Sequence, residues 1–62
     1  MSFSIDIILP VFNEEKNILE TIQGIENNVK NSHRILIIYD YDEDPTINEV
    51  KKNLKKNILL IK

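Results

Sequence analysis

Glu14 and Asp40 are carboxylates that each stand just beyond a short apolar run. In an open α/β sheet, ligands sit in the crevice outside the carboxyl ends of the strands, and an acid there can accept N–H or O–H groups from a nucleotide. The first run, Ile5-Asp6-Ile7-Ile8-Leu9, leads through Pro10, Val11, Phe12 and Asn13 to Glu14; the second, Ile35-Leu36-Ile37-Ile38, leads through Tyr39 to Asp40. Structural roles compete with this chemistry. Asn13 suits a helix N-cap, which would place Glu14 and Glu15 in a first turn where the helix dipole favours anions. Asp40 reads equally well as turn chemistry after a strand.

Other polar residues carry less. Asp42-Glu43-Asp44 forms an Asp-x-Asp and, with Asp40, an acidic cluster that suggests a hard cation. The structural reading is stronger, because Asp44 before Pro45 matches an N-cap with proline at the first helical position, and no calcium-loop glycine or distal glutamate follows. The single His33 has no cysteine or second histidine to complete a metal set and reads as a solvated loop residue. Tyr39 and Tyr41 flank Asp40, are expected to point to the side opposite it, and would pack against a base or fill a missing layer. Lysines 51, 52, 55 and 56 read as the wet face of a helix. Gly24 is the only glycine and falls within a helical pattern, so neither a P-loop nor a dinucleotide glycine fingerprint is present.

The elements that position these residues follow from periodicity. Ile5 to Leu9 reads as a strand ended by Pro10. Ile18, Ile22, Ile25 and Val29 recur at helical spacing and predict a helix over roughly 14 to 29, closed by Asn27, Asn28, Asn31 and Ser32. Ile35 to Ile38 is the second strand. Ile47, Val50 and Leu54 predict a second helix over about 45 to 55, and Ile58 to Ile61 a third strand. Strand, helix, strand, helix, strand with short connections implies parallel strands with both helices on one face.

The strands are apolar at nearly every position, as in sheets covered on both sides. Helices on one face would leave Ile8, Leu36, Ile38, Leu59 and Ile61 on the other, each worth roughly 1.5–3 kcal/mol when buried. Their sum is comparable to the stability of a whole domain. The 62 residues are therefore expected to be the N-terminal portion of a single larger domain, unstable or self-associating when alone.

Composition excludes several classes. A net charge of −2 with interspersed signs offers no basic footprint for nucleic acid. The absence of cysteine removes disulfides and thiolate zinc sites, and fits a reducing compartment. Met1-Ser2-Phe3-Ser4 lacks the pattern of a signal peptide, and no apolar run approaches the ~20 residues of a membrane span. A cytoplasmic chain is expected.

Taken together, Leu9-Pro10-Val11-Phe12-Asn13-Glu14 and the stretch from Ile37 to Thr46 resemble the opening strands and turns of family 2 glycosyltransferases of the GT-A fold, including the branch of dolichyl-phosphate mannosyltransferases. The resemblance implies a three-stranded parallel β-α-β-α-β half of a Rossmann-like nucleotide-binding sheet. It implies that Pro10, Phe12 and Glu14 line a nucleotide pocket and that Asp40 hydrogen-bonds the base of a nucleoside-diphosphate sugar. The complete enzyme would transfer the sugar to an acceptor hydroxyl or a lipid phosphate, with peripheral membrane contact. Its divalent cation, magnesium or manganese, would be held by an Asp-x-Asp after a later strand, and its catalytic base comes later still. The present chain would bind no metal and be inactive alone. It departs from the family pattern at Tyr39 (usually aspartate), at Tyr41 (usually glycine) and at Asp42-Glu43, where small hydroxyl residues are usual.

Two other readings remain. A receiver-like signalling module binds magnesium at acidic strand ends but needs a lysine and a hydroxyl residue at later strand ends. A non-catalytic remnant would complete its sheet by pairing with another chain.

Overall fold

The computed structural model describes residues 4–62; Met1, Ser2 and Phe3, part of the opening segment read as lacking a signal peptide, lie outside them. Five elements follow in the expected order: β1 (Ile5–Pro10), α1 (Ile18–Asn28), β2 (His33–Ile38), α2 (Pro45–Lys52) and β3 (Ile58–Ile61). The strands form one parallel sheet in the order β1-β2-β3. Such a small parallel sheet with two crossover helices has the topology of half a Rossmann-like fold.

Register fixes two faces. Ile7, Ile35 and Ile58 align across the sheet, as do Leu9, Ile37 and Leu60. Ile35, Ile37 and Ile58 are buried, with Leu9 and Leu60 packed against them, beneath Ile18 and Ile22 of α1 and Val50 of α2. The two helices pack beside each other on this side. On the other face Ile8, Leu36 and Leu59 form one row, and Pro10, Ile38 and Ile61 the next. Ile8 is 65% exposed, and Leu59 and Ile61 are also open, while Leu36 and Ile38 on the central strand are half-buried between their neighbours. At the far end of this face the Arg34 guanidinium donates two hydrogen bonds to the Asp6 carboxylate, at 3.1 and 2.8 Å.

Several local expectations change. The first helix begins at Ile18, not beside Asn13, and its N-cap is Asn17. Residues 14–17 form a tight turn in which the Glu14 carbonyl accepts from Asn17 N–H at 3.0 Å and Ile18 N–H at 2.8 Å. Asn13 is instead left-handed, with φ of 51°, a conformation that asparagine tolerates better than most residues. Helix α2 stops at Lys52. The Asn53 amide donates to the Glu49 carbonyl at 3.0 Å, satisfying one of the orphan groups of the last turn, and Leu54 lies exposed beyond it. Tyr39 packs against the helix-covered core and does not serve the open face.

His33 departs furthest from expectation. It opens β2, and its side chain is only 9% exposed. Nε2 meets the Glu26 carboxylate from the last turn of α1, and Nδ1 lies 2.9 Å from the Asn31 carbonyl. Asn57, just before β3, donates to both Glu26 and the His33 carbonyl. The histidine is thus a tie between α1 and the entry ends of β2 and β3.

Candidate functional site

Parallel strands bring their carboxyl ends to one edge, so the segments after β1 and β2 become neighbours although about 30 residues separate them. Pro10, Phe12, Glu14 and Asp40 all lie there and are exposed. Between Pro10 and Phe12, Val11 turns into the core and its N–H bonds the Ile38 carbonyl at 2.9 Å, carrying the ladder one step past β1. Pro10 is tolerated because β1 is an edge strand.

The two loops are clamped together by α2. Asp44 is its N-cap, accepting the Thr46 N–H at 2.9 Å with Pro45 at the first helical position, as the Asp-Pro pair predicts. The same carboxylate also reaches across to the first loop, where its two oxygens accept the Asn13 N–H at 3.2 and 3.1 Å. Beside it the Thr46 hydroxyl accepts the Glu14 N–H at 2.7 Å. Asp44 is 1% exposed and Thr46 fully buried. Burial works against the charge on Asp44, but the hydrogen bonds from Thr46 and from the Asn13 N–H outweigh it and hold the carboxyl below its ordinary value.

An aromatic pair closes the outer side. The Phe12 and Tyr41 rings lie 5.9 Å apart at 55°, and the Tyr41 hydroxyl donates to the Asn13 side-chain carbonyl. Phe12 remains 60% exposed. Asp42 is engaged by the chain's other end: it accepts from the Lys62 ammonium at 3.0 Å, which raises the lysine's pKa.

Comparison with protein-family models, with curated proteins and with solved structures gives no match. The edge must therefore be judged on its own geometry. It offers exposed carboxylates (Glu14, Asp40), an open aromatic face (Phe12) and backbone fixed by buried hydrogen bonds, an arrangement compatible with a flat polar ligand such as a nucleotide. Among the described residues no group of three or more His, Asp or Glu side chains converges as metal ligands would. No helix among them is long and apolar enough to cross a membrane.

Glu14 and Asp40 lie at this edge as their positions in the sequence predict, but Asp44 and Thr46, which build it, carry no such signal. The Asp-Pro pair signals Asp44 as a cap only, and its carboxylate has oxygens enough to hold the first loop as well. Thr46 carries no local signal of its role, although a hydroxyl two residues after a capping aspartate is well placed to accept from a neighbouring loop. Glu15, expected in a helical first turn, keeps Oε1 buried with no hydrogen-bond partner among the described residues. A separate cavity of about 140 Å³ lies on the helix side, lined by Leu19, Ile22, Val50 and Ile58 with Lys55 and Asn53 among its polar residues. Among the described residues no carboxylate lines it, and it does not include the strand-end edge.

Proposed function

We propose that this chain is the nucleotide-holding N-terminal part of a nucleotide-sugar-dependent glycosyltransferase of family 2, GT-A fold. The observation that supports it best is the shared exposure of Pro10, Phe12, Glu14 and Asp40 at the carboxyl ends of two adjacent parallel strands. In this reading Asp40 accepts a hydrogen bond from the base, Phe12 and Pro10 give apolar contact, and Glu14 meets the ribose or the polar edge of the base. The residues of this chain bind and orient the donor. The cation that would stabilise the leaving diphosphate, and the base that would activate an acceptor hydroxyl or lipid phosphate, belong to the complete enzyme.

The open aliphatic face supports the same reading. Rows of Ile8, Leu36 and Leu59 and of Pro10, Ile38 and Ile61 call for a second layer, which further residues of a larger cytoplasmic domain would supply. Alone, the 62 residues self-associate through that face and transfer no sugar.

Titrating the 15N-labelled chain with uridine and guanosine diphosphates tests the proposal. Amide shifts at Phe12, Glu14 and Asp40 that saturate, and that Asp40→Ala weakens, are expected. Shifts that appear instead with magnesium alone at Asp40 and Asp42 would transfer the site to a receiver-like module. Sugar transfer by this chain above an Asp40→Ala control would refute its inactivity.

A further inference from the structure

Phe12 is a large ring left mostly in solvent, and such a side chain ordinarily samples several rotamers. Here one residue contacts both the ring and the residue that follows it. The Tyr41 ring packs on it at 5.9 Å, within the range of favourable aromatic contact, and the Tyr41 hydroxyl donates to Asn13, the next residue along. Asn13 in turn sits in the left-handed region with its N–H on Asp44, so the backbone on which the Phe12 side chain stands is itself fixed. The tilt of 55° leaves no parallel slot between the rings, so a planar ligand must stack on the exposed part of Phe12 and not between the pair.

We propose that Tyr41 is a positioning residue that holds the Phe12 ring as a preformed stacking platform for a nucleobase; this rests on the nucleotide reading above. A base binding to a free phenyl ring must first immobilise it, and a base binding to a clamped one need not. Because every base has a π-face, the gain is the same for pyrimidine and purine, unlike the hydrogen bond assigned to Asp40. Tyr41 therefore serves affinity, and Asp40 serves choice of base.

The test compares wild type, Tyr41→Ala and Tyr41→Phe for binding of uridine diphosphate, guanosine diphosphate and base-free ribose 5-diphosphate, followed by amide shifts at Glu14 and Asp40. Tyr41→Ala should weaken whichever nucleoside diphosphates bind by about three- to tenfold, by a common factor where both bind, and leave ribose 5-diphosphate unchanged. Tyr41→Phe keeps the ring contact and should recover most of the loss. Should Tyr41→Ala not fold, Tyr41→Leu replaces it, with the same loss expected because the ring is gone. Unchanged nucleoside diphosphate binding, or equal weakening of the base-free ligand, overturns the inference while leaving the nucleotide reading in place. Failure of wild type to bind any nucleoside diphosphate removes the reading and the inference together.

Discussion

The Asp44 carboxylate accepts the Asn13 backbone N–H with both oxygens, at 3.2 and 3.1 Å, and so ties together two loops whose residues lie 31 positions apart. One oxygen also caps α2 through the Thr46 N–H. A single buried side chain thus sets both the start of a helix and the shape of the strand-end edge. Ordinary capping aspartates serve only the first purpose.

Replacing Thr46 by valine isolates one part of this clamp. Valine keeps the buried shape but removes the oxygen that accepts the Glu14 N–H at 2.7 Å, leaving a donor without its partner. A loss of about 1–3 kcal/mol is expected in urea unfolding, with the slope unchanged. Asp44→Ala should lower the melting midpoint further than Thr46→Val, because it removes the cap and the loop tie at once. Equal or smaller destabilisation by Asp44→Ala would mean that the contact with Asn13 contributes nothing.

The two sheet faces should respond oppositely to polar or smaller residues. Ile37 is fully buried beneath the helices, so Ile37→Ala should cost about 2–5 kcal/mol, measured by denaturant unfolding. Ile8 is 65% exposed on the open face. Ile8→Thr, and more so Ile8→Thr with Leu59→Thr, should change stability by less than about 1 kcal/mol and, on the proposal that this face mediates self-association, shift sedimentation toward the monomer. Association unaffected by the double substitution would place the contact elsewhere.

Element order and faces were legible because they depend on short-range pattern. Ile5 to Leu9, Ile35 to Ile38 and Ile58 to Ile61 are apolar runs bounded by polar residues, and Ile18, Ile22 and Ile25 repeat at helical spacing. What local pattern does not carry depends on distant partners. Asn13 does not cap the first helix because its backbone is left-handed, φ 51°, with its N–H held by Asp44 from 31 positions away, and an N-cap ordinarily takes an extended backbone. His33 looks solvated between Ser32 and Arg34, yet Glu26 and Asn57 reach it from either side once the strands align. Nothing within a local window signals either event.

The His33 tie predicts a pH dependence. Its Nδ1 faces a carbonyl and its Nε2 a carboxylate, both acceptors, so the imidazolium is the form that satisfies both. The Asn31 carbonyl first and the Glu26 carboxylate second raise its pKa above the ordinary 6.5, while the bond with His33 lowers that of Glu26 below the ordinary 4.5. The histidine contribution is complete below its unfolded value and is lost as pH rises through the higher folded one. The Glu26 contribution is complete above its unfolded value and is lost as pH falls through the lower folded one. Stability from this pair is therefore greatest between the two ordinary values, 4.5 and 6.5. Melting temperatures across pH 4–9 should fall on the alkaline side, and His33→Gln should flatten that limb. An alkaline limb that persists in His33→Gln would assign it to another group.

Gly24 offers a gain. It lies inside α1 without positive φ, and a β-carbon there would meet nothing within 4 Å among the described residues. Glycine in a helix interior costs roughly 0.5–1 kcal/mol relative to alanine, mainly through the freedom it gives the unfolded chain. Gly24→Ala should therefore stabilise the protein by about that amount, which for a domain of this size means a midpoint higher by roughly 3–8 °C. The Asn28 side-chain amide, which donates to the Gly24 carbonyl at 2.7 Å, keeps its acceptor in the variant. The nucleotide-induced shifts proposed for Phe12, Glu14 and Asp40 should be unchanged, since α1 carries Gly24 more than a full turn beyond Ile18, the first residue of the helix. A lower midpoint in Gly24→Ala would mean that the helix is not continuous through this position.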